Sequence, residues 1–384
     1  MAANRGPRAA RDGRELRLWK VGWALIAIFA AAILAAGSVF YSLIALLDFQ
    51  EIDTTAKLDA KTLFDLVKLS FGVVAGAGAL VALVVAYRRQ RVDEAGAHRE
   101  ATRLHTERFS QAVDKLGSDS PAVRLGGVHA LAGLADDAPN NSLRQTCIDV
   151  LCAYLQLPFT PDPGDDPSDQ EEHHRYLALR KVRHTILHLI SDHYQRPRGT
   201  RRSWQGCDLD LNGVTIDCHL SFIGVMFSSG MVSFEGATFS GGVVHFGEAT
   251  FSGGYVSFQG ATFSGGSVYF EDAVFSGTNV RFDRAAFSGS YVNFGGATFS
   301  GGTVYFGGAT FSGGRVDFHG PTGGARFSAG IVHFDGPTGG ARFSGAAVDF
   351  SHASGPAPEW LLSTVGMPIP PIVHFPSTWL SSVS

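Results

Sequence analysis

Cysteine is scarce in this chain. Cys147, Cys152, Cys207 and Cys218 are its four, with no CxxC pair and no zinc-type spacing among them. A disulfide-built scaffold and a zinc finger are thereby excluded, and in a reducing compartment such thiols act as small buried hydrophobes. Excess positive charge is missing too. The formal charge of −4 argues against a general nucleic-acid binder, which would carry a strongly basic patch. There is no HExxH, no paired-carboxylate arrangement, no nucleophile set beside a base and no glycine-rich phosphate loop opening a helix. No catalytic, cofactor-binding or metal-binding residue is assigned on this reading, no small-molecule substrate is implied, and an enzyme is not the expected class.

Charge is also absent from two long runs. Val21 to Leu47 and Leu69 to Tyr87 contain no Asp, Glu, Lys or Arg. About 20 apolar residues span a bilayer, because a helix satisfies its own backbone groups there. The expectation is therefore two transmembrane helices, at 21–47 and 63–87, joined by a short external loop at 48–62. A secretory leader has an apolar core of about 7–15 residues, and the first run exceeds that. Arg5, Arg8, Arg11, Arg14, Arg17 and Lys20 precede the first run, and Arg88, Arg89 and Arg91 follow the second. By the positive-inside rule, both termini should be cytosolic in a two-pass plasma-membrane protein, with residues 1–20 as a basic cytosolic tail. The lipid bilayer is thus an expected partner. Gly72 and Gly76 could pack the two helices together or pair protomers, so a homo-oligomer stays open.

Residues 88–195 read as an α-helical segment. Ser120-Pro121 marks a helix start, and a second helix runs from about Ser142 to Leu157 with Ile148, Leu151 and Leu155 on one face. The polar stretch 158–170 reads as a mobile linker. A further helix, about Glu171 to His193, should bury Leu179, Val182, Ile186 and Leu189. His184, His188 and Asp192 stand at helical spacing on its other side and raise the question of a metal. No fourth ligand is placed by spacing, so a solvated polar face is the reading for them. Residues 196–206 form a linker.

What the chain has in abundance is glycine, with 47 residues, and phenylalanine, with 29. The phenylalanines follow a rule. From Phe222 they continue as Phe227, Phe234, Phe239, Phe246, Phe251, Phe258, Phe263, Phe270, Phe275, Phe282, Phe287, Phe294, Phe299, Phe306, Phe311 and Phe318, in alternating steps of five and seven. Pro321-Thr322-Gly323-Gly324 and Pro337-Thr338-Gly339-Gly340 each add four residues, and Phe327, Phe334, Phe343 and Phe350 complete the series. Two residues before nearly every Phe stands a smaller apolar side chain, as in Val244-His245-Phe246 and Ala249-Thr250-Phe251. In an extended strand, residues two apart share a face. Short strands separated by glycine corners make a β-solenoid over 207–351, with these phenylalanines as its structural core ladder. A four-sided coil of 24 residues is favoured, and a flattened coil of 12 is the rival.

Units such as Ala237-Thr238-Phe239-Ser240-Gly241 and Ala261-Thr262-Phe263-Ser264-Gly265 resemble those of bacterial pentapeptide-repeat proteins. The resemblance covers about 145 residues and implies a right-handed quadrilateral β-helix. The chain departs from that pattern, since every second unit has two extra residues. Taken together, the expected fold class is multidomain: two transmembrane α-helices, an α-helical cytosolic segment and a C-terminal right-handed β-solenoid. Residues 352–384, with Glu359-Trp360-Leu361-Leu362 and Trp379-Leu380, should form a C-terminal cap or tail.

The outward residues are free of core demands. One series reads Ser233, His245, Ser257, Tyr269, Arg281, Asn293, Tyr305, Asp317, His333 and Asp349. The other is mainly threonine: Thr238, Thr250, Thr262, Val274, Ala286, Thr298 and Thr310. The leading functional expectation is a scaffold or docking surface for a protein partner at the cytosolic membrane face. Some pentapeptide-repeat proteins resemble DNA and protect topoisomerases, so the resemblance implies that alternative. A membrane sensor or small channel is a third class, although pore-lining polar residues are missing.

Overall fold

The structure, a computed structural model, describes residues 60–159, 162–164, 170–320, 323–336, 339–358 and 361–381, with scattered positions between 26 and 41. The chain divides into two units, Met1–Arg99 and Glu100–Ser384.

The expected transmembrane helices are corrected here. Among the described residues, no helix is long and apolar enough to cross a membrane. The run at 21–47 lies largely outside the described residues, as do 1–20 and most of 48–62. The run at 63–87 belongs to helix α1 (Ala60–Leu116), which passes into Arg88, Arg89 and Arg91 without a break. The expectation rested on absence of charge and on apolar length in the run taken by itself, whereas in the structure that run is one part of a 57-residue helix that continues through charged turns. Gly72, Ala75, Gly76, Ala77 and Gly78 are uncharged yet contribute little transfer free energy.

In the second unit, the end of α1 packs with α2 (Pro121–Asp136), α3 (Asn141–Gln156) and α4 (Gln170–Gln195). Asn140 caps α3, its side-chain oxygen accepting from the Leu143 N–H at 2.9 Å. Gly127 lets α2 press onto α1, since a Cβ there would meet the Leu116 nitrogen at 2.6 Å. Val128, Leu131, Ile148, Leu151, Val182 and Ile186 are fully buried among these helices. In the stretch before α4, Asp162 accepts from the Gly164 N–H at 3.0 Å and faces His173 Nδ1 at 2.8 Å.

The solenoid follows. Its strands pair in parallel with Thr238 beside Thr262 and Val244 beside Val268, a step of 24 residues. Each coil therefore has four sides. Face 1 carries strands such as Met231–Ser233, face 2 Thr238–Phe239, face 3 Val243–His245 and face 4 Thr250–Phe251. The first coil is a residue short on faces 1 and 2, where Leu209 pairs with Val232 and Thr215 with Thr238. Near the far end the two four-residue insertions lengthen the step without breaking the ladder. Thr298 pairs with Arg326 and Arg315 with Ala347.

The corners need glycine where the chain turns tightly. Gly242 has φ +70°, and a Cβ on it would lie 2.5 Å from the Cys218 carbonyl oxygen. Inside, each face contributes one column of phenylalanine rings. Phe246 stacks on Phe270 at 5.0 Å, Phe251 on Phe275 at 4.8 Å, Phe258 on Phe282 at 4.8 Å and Phe263 on Phe287 at 4.8 Å, with planes within 6° of parallel. The columns of faces 1 and 3 meet edge to face across the interior, as in Phe246 and Phe258 at 5.6 Å. Burying each ring stabilises by roughly 1.5–3 kcal/mol before entropy costs, and ring pairing adds about 0.5–1.5 kcal/mol.

Candidate interaction surface

Both ends of the solenoid are closed, which leaves the lateral faces as the accessible surface. At the first coil, fully buried Tyr194 of α4 lies edge-on to Phe222 at 6.0 Å and donates from its hydroxyl to the Cys207 carbonyl at 3.0 Å. The open strand edge finds side-chain partners. The Gln145 amide donates to the Asp208 carbonyl at 2.8 Å and its oxygen accepts from the Asp208 N–H at 2.9 Å. Ser191 treats Ser221 in the same two-way fashion, at 2.8 and 2.9 Å. These bonds occupy groups that would otherwise invite another strand. At the last coil, Val373–His374 adds a parallel strand to face 3. Buried Trp379 closes over Phe327 and Phe350 at 5.7 and 5.8 Å, its indole N–H donating to the Gly355 carbonyl at 2.8 Å. Glu359 and Trp360 lie outside the described residues.

Every residue of the core ladder that sequence reasoning singled out sits inside the coils. Phe227, Phe251, Phe275, Phe299 and Phe327 share face 4, and Phe234, Phe258, Phe282, Phe306 and Phe334 share face 1. Phe239, Phe263, Phe287, Phe311 and Phe343 line face 2. Phe246, Phe270, Phe294, Phe318 and Phe350 line face 3 behind Phe222.

The α4 histidines behave differently from a uniformly solvated face. His184 Nε2 and Arg180 Nε both reach the Asp217 carboxylate at 2.6 Å, tying α4 to the first coil. Burial alone would raise the Asp217 pKa, but the hydrogen bonds from His184 and Arg180 hold it down to about 2. His188 and Asp192 are exposed, and the His188 pKa is lowered, by partial burial first and then by His184. Among the described residues, no group of three or more His, Cys, Asp or Glu is placed to hold a metal ion. The thiols of Cys147, Cys152 and Cys218 are pushed up to about 12 by burial, which makes them poor nucleophiles.

Before their last strands, faces 2 and 4 present threonine and small or apolar side chains, as in Thr238, Thr262 and Thr310 or Thr250, Val274 and Thr298, with Arg342 and Arg326 in the last strand of each. Faces 1 and 3 carry the chemistry. On face 1 the acids are already engaged. Glu235 accepts from Ser257 at 2.9 Å and Tyr255 at 3.3 Å, and Asp283 is paired with Arg281 at 2.8 Å. On face 3, His245 stacks on Tyr269 at 4.7 Å, and Tyr269 meets Tyr291 edge-on at 5.8 Å, all three half-buried. Farther along, Arg315 binds Asp317 at 2.6 Å and reaches Asp349 at 3.8 Å.

Two features escaped sequence reasoning. The first is the partition of charge. From Cys207 to Asn279 there are seven acids (Asp208, Asp210, Asp217, Glu235, Glu248, Glu271, Asp272) and no Lys or Arg. All five arginines of the solenoid, Arg281, Arg284, Arg315, Arg326 and Arg342, come later. That signal is present in the sequence, but the coil must be closed before it becomes a surface. The second is backbone. The corner after each three-residue strand has a left-handed position, held by glycine at Gly213, Gly224, Gly236, Gly260, Gly296 and Gly308. Glu248, Asp272 and Arg284 occupy it instead, with φ of 56°, 54° and 58°. A residue with a Cβ costs about 1 kcal/mol or more there relative to glycine.

At the C-terminal cap an open cleft of about 520 Å³ is lined by Asp349, Ser351, Val373, His374 and Leu380 among others. Burial raises the Asp349 pKa, yet hydrogen bonds from Ser351 and the charges of His374 and Arg315 bring it below the usual carboxylate range. The Ser351 N–H donates to Asp349 at 2.8 Å.

Residues 234–285 and 270–322 match the family model described as pentapeptide repeats (9 copies). No protein of curated function and no solved structure matches the chain.

Proposed function

We propose that this chain, whose β-solenoid carries pentapeptide repeats, serves as a non-enzymatic docking scaffold whose lateral faces bind a protein partner. One observation carries the reading. The inward positions are nearly uniform in Phe, Val and Ala, whereas the outward positions of faces 1 and 3 vary from coil to coil in charge and aromatic character. Core packing imposes no such variety, and a solenoid held on its ring stack can present it without internal rearrangement. Half-exposed tyrosines are also the residue type that most often anchors protein interfaces.

A photo-cross-linking amino acid placed in the full chain tests this, at Tyr269 on face 3 and at Thr262 on face 2 in turn. The expectation is a discrete adduct from position 269 in native cells and none from 262. Equal labelling at both positions, or none at either, would overturn the reading.

A further inference from the structure

We infer that face 3 is a platform for arginine: the aromatic ladder of His245, Tyr269 and Tyr291, rimmed by Glu248, Glu271 and Asp272, takes up an extended arginine-bearing segment of a partner protein. The inference rests on the docking reading and names the chemistry of the partner.

Three independent observations converge. The rings form a continuous half-buried strip, with centroids 4.7 and 5.8 Å apart, and a planar cation that reaches an uncovered ring face of this strip can stack on it. Carboxylates stand along the same edge. Glu271 receives a hydrogen bond from Asn293, so it lies over the column that contains Tyr269. Glu248 and Asp272 are exposed, and among the described residues their carboxylates have no hydrogen-bond or ion-pair partner. No Lys or Arg of the solenoid precedes Arg281, and on face 3 the nearest cation along the ladder is Arg315, already held by Asp317. The charge complement of this patch therefore has to come from outside.

The third observation is positional. Glu248 and Asp272 fall in consecutive coils at the left-handed corner where most coils use glycine. The carboxylates sit there at a conformational cost, beside the half-buried aromatic ladder.

Arginine fits these groups better than lysine. Its planar guanidinium stacks on an aromatic ring while its fork of donors binds a carboxylate at two points. A lysine ammonium is a compact, strongly hydrated charge that would answer mainly to the acids.

The test uses the full-length chain and measures binding of oligo-arginine and oligo-lysine peptides of equal length. The double variant Glu248→Gly with Asp272→Gly restores the residue other coils use, so the fold should be kept, which thermal unfolding checks. It should bind oligo-arginine roughly tenfold more weakly at low salt, with the difference shrinking as ionic strength rises. Tyr269→Ala should lose about five- to tenfold for oligo-arginine and little for oligo-lysine. Unchanged oligo-arginine affinity in both variants, or oligo-lysine bound as tightly as oligo-arginine, would overturn the inference. Face-specific cross-links from position 269 together with no oligo-arginine binding would remove this inference and leave the docking reading standing.

Discussion

Gly295 stands directly against Gly320: a Cβ on Gly295 would meet the Gly320 Cα at 2.5 Å. Gly320 opens the first four-residue insertion, where His319–Gly320 pairs back on Gly323–Gly324 as a small antiparallel ladder. The second insertion repeats the glycine-on-glycine approach, since a Cβ on Gly307 would lie 3.1 Å from the Gly336 Cα. In the coil just before each, the matching positions carry side chains, Glu271 and Asp283. Each insertion thus folds over a corner that the preceding coil leaves bare.

Gly295→Ala should therefore destabilise the chain by about 1–3 kcal/mol through overpacking. Gly247→Ala, in the same column but with its nearest neighbour, the Glu271 carbonyl oxygen, at 3.6 Å, should cost well under that. Thermal or denaturant unfolding of the two variants measures the contrast. Equal losses would mean the close approach does not matter.

Phe275 stacks between Phe251 and Phe299 at 4.8 Å on either side. Phe275→Ser removes both stacks and sets a hydroxyl in a dry interior, with a cost of about 3–5 kcal/mol. Because coils touch only their neighbours, the damage should stay local. Limited proteolysis should cut near residues 270–285 and spare the Tyr194 end.

The Asp217 carboxylate, held near 2 by His184 and Arg180, makes the junction of α4 with the first coil sensitive to acid. A depressed folded pKa contributes stability that is present above the unfolded value near 4 and lost as pH falls through about 2. The contribution is on the order of 2 kcal/mol. Hydrogen-exchange protection in Gln170–Gln195, taken relative to the intrinsic amide rate at each pH, should fall between about pH 4 and pH 2. In Asp217→Asn that window should be flat, and a persisting acid transition would assign it elsewhere.

Trp379 covers Phe327 and Phe350. Trp379→Ala should cost about 3–5 kcal/mol and expose the end of two ring columns. An uncapped solenoid end favours end-to-end association. Sedimentation velocity should then show concentration-dependent oligomers absent from the parent chain, whereas a monomeric variant of unchanged stability would deny Trp379 a capping role.

Some of this was readable in advance. Alternating five- and seven-residue steps between phenylalanines and glycines at the corners are local properties, because strand alternation and left-handed turns act over two or three residues. The α-helical segment was likewise visible from Ile148, Leu151 and Leu155, all buried. The helix before the solenoid was only half understood. Its apolar stripe was legible at Val182 and Ile186, but Tyr194 and the pairing of His184 with Asp217 join residues that have no local reason to meet. The transmembrane expectation failed because an uncharged run was read without the long, charged helix it continues into.

The sequence by itself determined which side chains must turn inward, since every short strand exposes one face and hides the other. Only the tertiary structure decided which ring stacks on which, because 12- and 24-residue coils share the same local pattern and differ only in hydrogen-bond register. Register also decided the surface. It brought His245, Tyr269 and Tyr291 together with Glu248 and Asp272, residues that lie up to 46 positions apart along the chain.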